Sequence, residues 1–434
     1  MSARALAFLL ASSLLTWPLV AASERSLNPA ERSRSDFDRI AFRMAPSLAD
    51  ASSCIQTQAS LVPLGSPEDL PLLIFHKAYC ELAAASVTRD PAGFRAAAAD
   101  FDRARDAWPG RAAALAKRKQ ADEPVPTVLR VLAPVARLNA GTDPAETEKA
   151  AADLASALAA PACPVSMVPV GLCQAVLGIG PQWQGWIALR QDDLEASARS
   201  FTAATAGAWS AWVSGQQAFR GGRYGQAAAS YRIAVSAWEA ERGQSPRPLL
   251  NRIAPPFDLT SAYTELGGAR LLAGDAAGAI QSLDLAVRES PSNARALYLR
   301  GRAEEAAGES DAALADYNLA SRTAFANARD LASGEAHLYR GILLFRRKQY
   351  RGAEDEFSSA LNFSIAASMR ADAVAWRRLS AVAEGSCDAG LRYLEEALPA
   401  ASPYFPRQEA RSFMSACRGQ GEAGRMYVAP TAQP

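Results

Sequence analysis

The chain has 434 residues, of which 49% are hydrophobic, 21% charged and 8% aromatic, and this is an ordinary globular composition. Its formal net charge is +1, so the chain as a whole lacks the positive field that would attract nucleic acid. Only five of the 46 basic residues are lysine. We attribute the excess of arginine to a coding bias, with a binding site built from arginines as the alternative.

Residues 1–22 have the features of a secretory signal peptide. An apolar run follows the basic residue Arg4 and ends in the small residues Ala21 and Ala22, after which cleavage is expected. The run is too short, and too soon interrupted by Pro18, to cross a membrane comfortably, and we expect no later membrane span. The mature protein is therefore expected to be soluble and exported, either periplasmic or secreted.

The six cysteines fit an exported protein, because an even number of cysteines outside the cytoplasm favours disulfides. Six thiols allow 15 connectivities, and the sequence alone does not choose among them. The cysteines fall into three local pairs, which favours the pairings Cys54–Cys80, Cys163–Cys173 and Cys387–Cys417. No pair has the C-x-x-C spacing of zinc or redox sites, so no metal or other cofactor is expected.

The chain outside its centre divides into helical and irregular segments. Residues 23–45 begin polar and unpatterned, and we expect them to be flexible. Residues 46–160 form an N-terminal helical section, with helical patterns at 68–86, 91–107, 127–138 and 144–159. Prolines, glycines and two cysteines predict a loop at 161–182, and the tail 418–434 is expected to be flexible.

A helical hairpin is predicted between Leu259 and Pro291. An apolar stripe at helical spacing is interrupted by a Gly-Asp turn at Gly274, resumes at Ala279 and must end before Pro291. Two antiparallel helices approach closely only where a side chain is nearly absent, so Gly267 is predicted to lie at the helix crossing. One such hairpin cannot bury its own apolar faces, which predicts neighbours of the same shape.

The same spacing recurs along the chain. Gly267 is followed 12, 16 and 19 positions later by Ala279, Leu283 and Ala286. Small, large and small residues follow four further glycines at the same distances: Gly185, Gly215, Gly301 and Gly341. These units resemble the tetratricopeptide repeat, a helix-turn-helix unit with a period of about 34 residues.

The resemblance implies an all-α fold in which helical hairpins stack into an irregular α-solenoid, after an N-terminal section of degenerate repeats at 46–160. The array is expected over residues 178–404, with units near 178–207, 208–241, 260–293, 294–327, 334–367 and 371–404. Insertions make it irregular, because Gly215 and Gly267 are 52 residues apart. In the last unit Arg378 stands where a small residue is expected.

In this repeat family the first helices line a concave surface that binds peptides. The resemblance places the following residues on that surface: Trp186, Arg190, Trp209, Trp212, Gln216, Thr264, Leu271, Arg295, Tyr298, Arg302, Glu335, Leu338 and Ile342. Arg295, Tyr298 and Arg302 share one helical face, so two guanidinium groups beside a phenol are expected to hold a carboxylate of the partner.

Each of these groove assignments has an alternative. Arg302 pairs with Glu305 or Glu309 in the alternative arrangement, and Tyr298 then fills the core. For Trp209 and Trp212, burial against the preceding second helix is the alternative to a role as a binding anchor.

Catalytic motifs are missing from the sequence. Its two histidines, His76 and His337, lack partners at metal or triad spacing, and we interpret both as surface or packing residues. The sequence therefore predicts a non-enzymatic scaffold or adaptor that binds a protein or peptide in the bacterial cell envelope. The alternatives are a protein that binds envelope polysaccharide or peptidoglycan through groove aromatics, and an enzyme with its site in residues 46–182, around His76.

Overall fold

The computed structural model describes residues 28–41, 46–117, 125–141, 143–161, 163, 170–243, 248–323, 331–363, 365–403 and 405–425. These residues form 20 α-helices and one short 3-10 turn, and no strand occurs among them. The prediction of an all-α fold is confirmed. The leader at 1–22 lies outside the described residues, as do residues 426–434 of the expected tail.

The chain divides into two compact units, residues 1–214 with 236–257 and residues 215–235 with 258–434. The first unit contains the helices α1 (Pro29–Ala41), α2 (Leu48–Leu61), α3 (Leu70–Thr88), α4 (Pro91–Lys117), α5 (Thr127–Ala140), α6 (Pro144–Ala159), α7 (Val170–Arg190) and α8 (Leu194–Ala203). Two helices are divided between the units, α9 (Gly207–Arg220) and α10 (Tyr224–Arg242). The short helix α11 (Leu249–Ile253) belongs to the first unit.

The second unit continues as a series of helical hairpins. Its helices are α12 (Leu259–Leu272), α13 (Ala276–Glu289), α14 (Ala294–Ala307), α15 (Ser310–Thr323), α16 (Leu331–Arg346), α17 (Tyr350–Asn362), α18 (Ala367–Ala383), α19 (Cys387–Ala397) and α20 (Arg407–Arg425).

The repeat glycines lie at equivalent helix crossings. A Cβ atom at Gly267 would lie 2.4 Å from Leu283 Cγ, and one at Gly301 would lie 2.7 Å from Tyr317 Cε1. The other three repeat glycines have the same relation to the large residue 16 positions on, at 2.5 to 2.9 Å: Gly185 to Phe201, Gly215 to Tyr231 and Gly341 to Phe357. Any side chain at these positions would push the two helices apart. The predicted hairpin geometry is therefore confirmed.

The turn inside a hairpin follows from its sequence. Gly274 has φ +85°, a left-handed conformation that favours glycine, and it ends α12. The carboxylate of Asp275 then accepts a hydrogen bond of 2.9 Å from the backbone N–H of Gly278 and caps α13. The Gly-Asp pair thus fixes both the end of one helix and the start of the next.

The last hairpin, α18 with α19, uses a different crossing from the one expected for residues 371–404. Its close contact is between Gly390 and Val382, where a Cβ on the glycine would lie 2.8 Å from Val382 Cγ2. Arg378 therefore does not occupy the crossing, and its guanidinium lies over the ring of Tyr393 instead. The small residue is provided by the second helix of this hairpin rather than by the first.

All three predicted disulfides are present. The Cα atoms are 5.9 Å apart in Cys54–Cys80, 6.0 Å in Cys163–Cys173 and 5.4 Å in Cys387–Cys417, within the usual range for a disulfide. Cys54–Cys80 links α2 to α3, and Cys387–Cys417 links α19 to α20. Three disulfides are consistent with a protein that resides outside the cytoplasm.

Helix α3 is the central helix of the first unit. By length and composition it is long and apolar enough to cross a membrane, but 67% of its apolar window is buried inside the protein. Phe75 and Tyr79 on this helix contact the ring of Phe37 from α1. Burial of this kind is typical of a core helix.

Three segments expected to be irregular are partly helical, which corrects the sequence analysis. Helix α1 lies within 23–45, the first turns of α7 lie within 161–182, and α20 extends into 418–434 as far as Arg425. Helix α1 begins with reciprocal hydrogen bonds between Asn28 and Glu31 of 3.0 and 2.9 Å.

Tertiary burial explains why these segments are helical. Each helix has a buried stripe at helical spacing: Ser33, Phe37 and Ile40 in α1, Val176, Ile179 and Trp183 in α7, and Ala410, Met414 and Cys417 in α20. Packing of these stripes outweighs the polar or proline-rich composition from which flexible ends and a loop were expected.

Replacing Gly267 by alanine tests the helix crossing, and the adjacent Gly268 provides a matched control. A Cβ at Gly268 would lie 3.5 Å from Leu299 Cδ1, an ordinary contact. Both substitutions raise helix propensity by a similar amount, so the difference in stability between the two variants measures the crowding of the new Cβ against Leu283. We expect Gly267→Ala to unfold with a free energy about 1–3 kcal/mol lower than Gly268→Ala, measured by urea unfolding and circular dichroism. Equal stability of the two variants would contradict the tight crossing.

Candidate functional site

A cavity of about 440 Å³ lies in the second unit, within the size range of ligand pockets. The first helices of three successive hairpins, α14, α16 and α18, contribute to its wall, and the start of α20 completes it. Its lining residues are Arg302, Glu305, Ala306, Tyr339, Ile342, Arg346, Asp372, Trp376, Phe405, Pro406 and Glu409. We call this space the Arg302 cavity.

Arg302 is held in place by two tyrosines. Its Nη1 donates a hydrogen bond of 3.2 Å to the hydroxyl of Tyr298, and its guanidinium carbon lies 3.8 Å from the ring centre of Tyr339. Burial lowers the pKa of Arg302, but the neighbouring phenols raise it by more, so the group remains protonated. No carboxylate of the described residues lies within 4.0 Å of its nitrogens.

The other charged groups of the cavity wall are mostly engaged. Glu305 forms an ion pair with Arg346 and accepts a hydrogen bond of 3.0 Å from the hydroxyl of Tyr317. Asp372 accepts hydrogen bonds from the backbone N–H and the hydroxyl of Ser402, at 2.6 and 2.7 Å. Arg302 therefore differs from its charged neighbours in having only aromatic and phenolic partners in the described structure.

Aromatic side chains form the rigid part of the wall. Trp376 is 6% exposed and packs edge-on against Phe405 at 5.2 Å, which joins α18 to the turn before α20. Tyr298 is 5% exposed, and burial raises the pKa of its hydroxyl. The hydroxyl therefore stays protonated and polarised beside Arg302.

The structure places the predicted groove residues in several different environments. Arg302 and Ile342 line the cavity, whereas Leu338 and Tyr298 are buried beneath the surface. Arg295 forms an ion pair of 3.0 Å with Glu265 instead of lining the cavity beside Arg302. The predicted carboxylate site made jointly by Arg295 and Arg302 is therefore not formed.

The alternative for this group is met only in part. Tyr298 does fill the core, as the alternative expected. Arg302 does not pair with Glu305 or Glu309, because Glu305 is bound by Arg346 from the next hairpin. Of the remaining predicted residues in the second unit, Gln216, Leu271 and Glu335 are half-buried, and the hydroxyl of Thr264 bonds to the carbonyl of Thr260 at 2.7 Å.

The predicted tryptophans belong to the first unit and pack against other aromatic rings. Trp209 is 8% exposed and stacks on Phe201 of the preceding second helix at 5.1 Å, as the alternative expected. Trp212 contacts Trp238 at 5.5 Å. Arg190 lies over the ring of Trp186, with its guanidinium carbon 4.8 Å from the ring centre.

Several lining residues were missed by the sequence analysis. On α16 the prediction chose Glu335 and Leu338, but Tyr339 and Arg346 line the cavity together with Ile342. Tyr339, Ile342 and Arg346 are three and four positions apart, so they share one face of α16. An aromatic residue and an arginine on the face of Ile342 were the signal that could have identified them. Phe405 belongs to no repeat unit, and no sequence pattern pointed to it.

His76 belongs to the core of the first unit. The residue is 1% exposed, and its ring stacks on Phe37 at 4.2 Å. Its Nδ1 is hydrogen-bonded to Ser33 Oγ at 2.7 Å, and Ser33 bonds in turn to Gln58 Oε1 at 2.5 Å. Burial, with a smaller contribution from the positive charge of Arg34, lowers the pKa of His76 to about 3.

A cavity of about 580 Å³ beside His76 is also lined by Glu31, Arg34 and Asp38. Arg34 and Asp38 pair with each other at 2.9 Å, and no carboxylate of the described residues bonds to His76. A buried imidazole with so low a pKa is a poor general base at neutral pH. The geometry therefore supports a packing role, which was the preferred interpretation of this residue.

His337, the other histidine, is half-buried in the second unit. Its Nδ1 lies 2.8 Å from a carboxylate oxygen of Glu356, and its ring stacks on Phe363 at 5.3 Å.

Comparisons with known proteins give structural matches only. No protein-family model matches the sequence, and no curated protein matches it. A tetratricopeptide repeat protein from Parabacteroides merdae is 13% identical, with a TM-score of 0.38, and the match covers 67% of this chain and 99% of that one.

Two further solved structures are similar at the same level. Yeast Tom70 is 13% identical, with a TM-score of 0.38 and coverage of 88% of this chain and 95% of that one. The TPR domain of P58(IPK) is 12% identical, with a TM-score of 0.28 and coverage of 86% and 99%. Similarity this low assigns no ligand, and the tetratricopeptide-repeat-like fold of this chain rests on its own helix crossings.

Titration of His76 predicts how stability depends on pH. The unfolded imidazole has a pKa near 6.5 and the folded one a pKa of about 3, so the unfolded state binds more protons between these values and stability falls as the pH falls. We expect the titration of His76 to lower the free energy of unfolding by about 2 kcal/mol between pH 7 and pH 5. His76→Gln should abolish that part of the decrease, measured by urea unfolding at both pH values.

Ser33→Ala is the matched control for this prediction. It removes the hydrogen bond to His76 but no titrating group, so it should lower stability at both pH values by a similar amount. A His76→Gln variant with the same pH dependence as the unmodified protein would show that His76 titrates normally.

Proposed function

We propose that this protein is a non-enzymatic scaffold or adaptor whose tetratricopeptide-repeat-like hairpins bind a segment of a partner protein in the Arg302 cavity. The observation that carries the proposal is the position of Arg302. Its guanidinium is half-buried on the wall of a cavity formed by three successive first helices, and no described carboxylate pairs with it.

The electrostatics favour a ligand that bears a carboxylate. Removing a guanidinium from water costs free energy, which its contacts with Tyr298 and Tyr339 offset only in part. A carboxylate that accepts two parallel hydrogen bonds from Arg302 would supply the missing counter-charge. Glu305 does not compete for this role, because Arg346 and Tyr317 already bond to it.

The neighbouring wall determines what lies beside that carboxylate. Ile342, Trp376 and Phe405 offer apolar surface next to Arg302. The partner segment therefore carries an acidic side chain or a carboxyl terminus flanked by an apolar residue.

The cellular setting completes the proposal. The leader-like sequence at 1–22 and the three disulfides support a periplasmic or secreted location, and we propose that the protein acts there in assembly of the cell envelope.

The polysaccharide alternative has less support. Phe201 and Arg190 already cover faces of Trp209 and Trp186, on which a sugar ring was expected to stack.

A peptide-binding experiment tests the role of Arg302. A library of acidic and C-terminal peptides is selected on the full mature chain, and affinities of the selected peptides are measured by calorimetry. We expect Arg302→Gln to weaken binding about 10- to 100-fold, because it removes a charged hydrogen bond. Arg295→Gln is the matched control, since Arg295 pairs with Glu265 outside the cavity and its loss should change affinity little.

A second arm links the effect to the carboxylate of the ligand. Amidation of that carboxylate should weaken binding to the unmodified protein but have little further effect on Arg302→Gln, because the two changes remove the same interaction. Peptides that bind equally well to Arg302→Gln, or an amidation effect that persists in the variant, would place the site elsewhere.

A further inference from the structure

Three arginines of the last hairpin are not among the residues that line the Arg302 cavity, although two of them directly follow the lining residue Trp376 in the chain. The guanidinium carbons of Arg378 on α18 and Arg392 on α19 lie 4.6 and 4.9 Å from the ring centre of Tyr393. Arg392 also donates a hydrogen bond of 3.2 Å to the hydroxyl of Tyr393. We call Arg377, Arg378, Arg392 and Tyr393 the Arg378 cluster.

Arg377 adds a third charge beside Arg378. Its Nε is buried and has no hydrogen-bond partner among the described residues. Burial and the positive charge of Arg378 lower the pKa of Arg377, and the carboxylate of Glu354 on α17 opposes this effect. Arg377 and Arg378 are neighbours in the chain, so α18 carries two adjacent positive charges here.

None of the three arginines lies within 4.0 Å of a carboxylate that the structure describes. Other arginines of this part of the chain have hydrogen-bond acceptors: Arg418 pairs with Glu395, and Arg370 donates to the carbonyls of Leu361 and Phe363. An anion bound beside Arg378 and Arg392 would supply a counter-charge to both guanidinium groups.

We propose that the Arg378 cluster is a binding site for a phosphate group. A phosphate carries up to two negative charges and several acceptor oxygens, which suits two guanidinium groups beside one phenol better than a single carboxylate does. Tyr393 is 36% exposed, so an incoming ligand can reach its hydroxyl and the guanidinium groups beside it.

The departure from the repeat pattern fits this role. In the other hairpins the equivalent first-helix position is a glycine pressed against the second helix, whereas here Gly390 and Val382 make the close contact. The long side chain of Arg378 is thereby free to extend over Tyr393. This inference does not depend on the function proposed for the Arg302 cavity.

Binding of inorganic phosphate to the full mature chain tests the site directly by calorimetry at constant ionic strength. We expect saturable binding that weakens about 10-fold or more in Arg378→Gln and in Arg392→Gln, because each removes a charged hydrogen bond. Arg392 is exposed, so its replacement leaves the fold intact even if that of Arg378 does not. Arg411→Gln, an exposed arginine on α20, is the matched control for loss of one charge.

A second measurement identifies the source of the phosphate group. Cosedimentation with phosphatidylglycerol vesicles but not phosphatidylcholine vesicles, lost in Arg392→Gln, would indicate a lipid headgroup. Phosphate binding without cosedimentation would indicate a soluble phosphate compound. The proposal is overturned if neither probe binds, if acetate displaces phosphate at equal concentration, or if Arg411→Gln weakens binding as much as Arg392→Gln.

Discussion

Close approach of paired helices at positions without a side chain is the constraint on which this structure depends. At Gly267, Gly301 and Gly341 a large residue of the second helix occupies the space that a Cβ would need. Each hairpin therefore has a similar helix spacing, and its apolar faces are buried against the next. Because of this regular spacing, the first helices α14, α16 and α18 line a common cavity. The candidate site therefore depends on the same close helix crossings.

The parts of the fold that local patterns encode were predictable from the sequence. The spacing from Gly267 to Leu283 reports a contact within one hairpin, and the cysteine pairs are close in sequence. Helix α1 was missed because its polar sequence becomes helical through burial of Phe37 against α3, a contact that no local pattern reveals. The same holds for α20, whose buried stripe needs a partner surface.

The candidate site shows the same division. The repeat register placed Arg302 beside Tyr298, but it did not predict the contact with Tyr339 or the partner of Glu305. Glu305 lies one turn away on the same helix and would be the obvious partner, yet Arg346 from the next hairpin, 41 residues along the chain, binds it instead. Competition among side chains from different repeats decided the pairing. The repeat register assigns a residue to a face of the array, but it does not predict which of the charged side chains on that face form ion pairs.

The link between α19 and α20 has a consequence for when the cavity becomes complete. Cys387–Cys417 fastens α20 to the last hairpin, and the bonds from Ser402 to Asp372 fix the turn before it, where Phe405 begins the closing wall. This wall lies on the carboxyl-terminal side of the other lining residues, so it is synthesised after them, and the disulfide that fastens α20 forms only under oxidising conditions. Under reducing conditions α20 would be held by noncovalent contacts alone, so the Arg302 cavity would lose the covalent support of its closing wall.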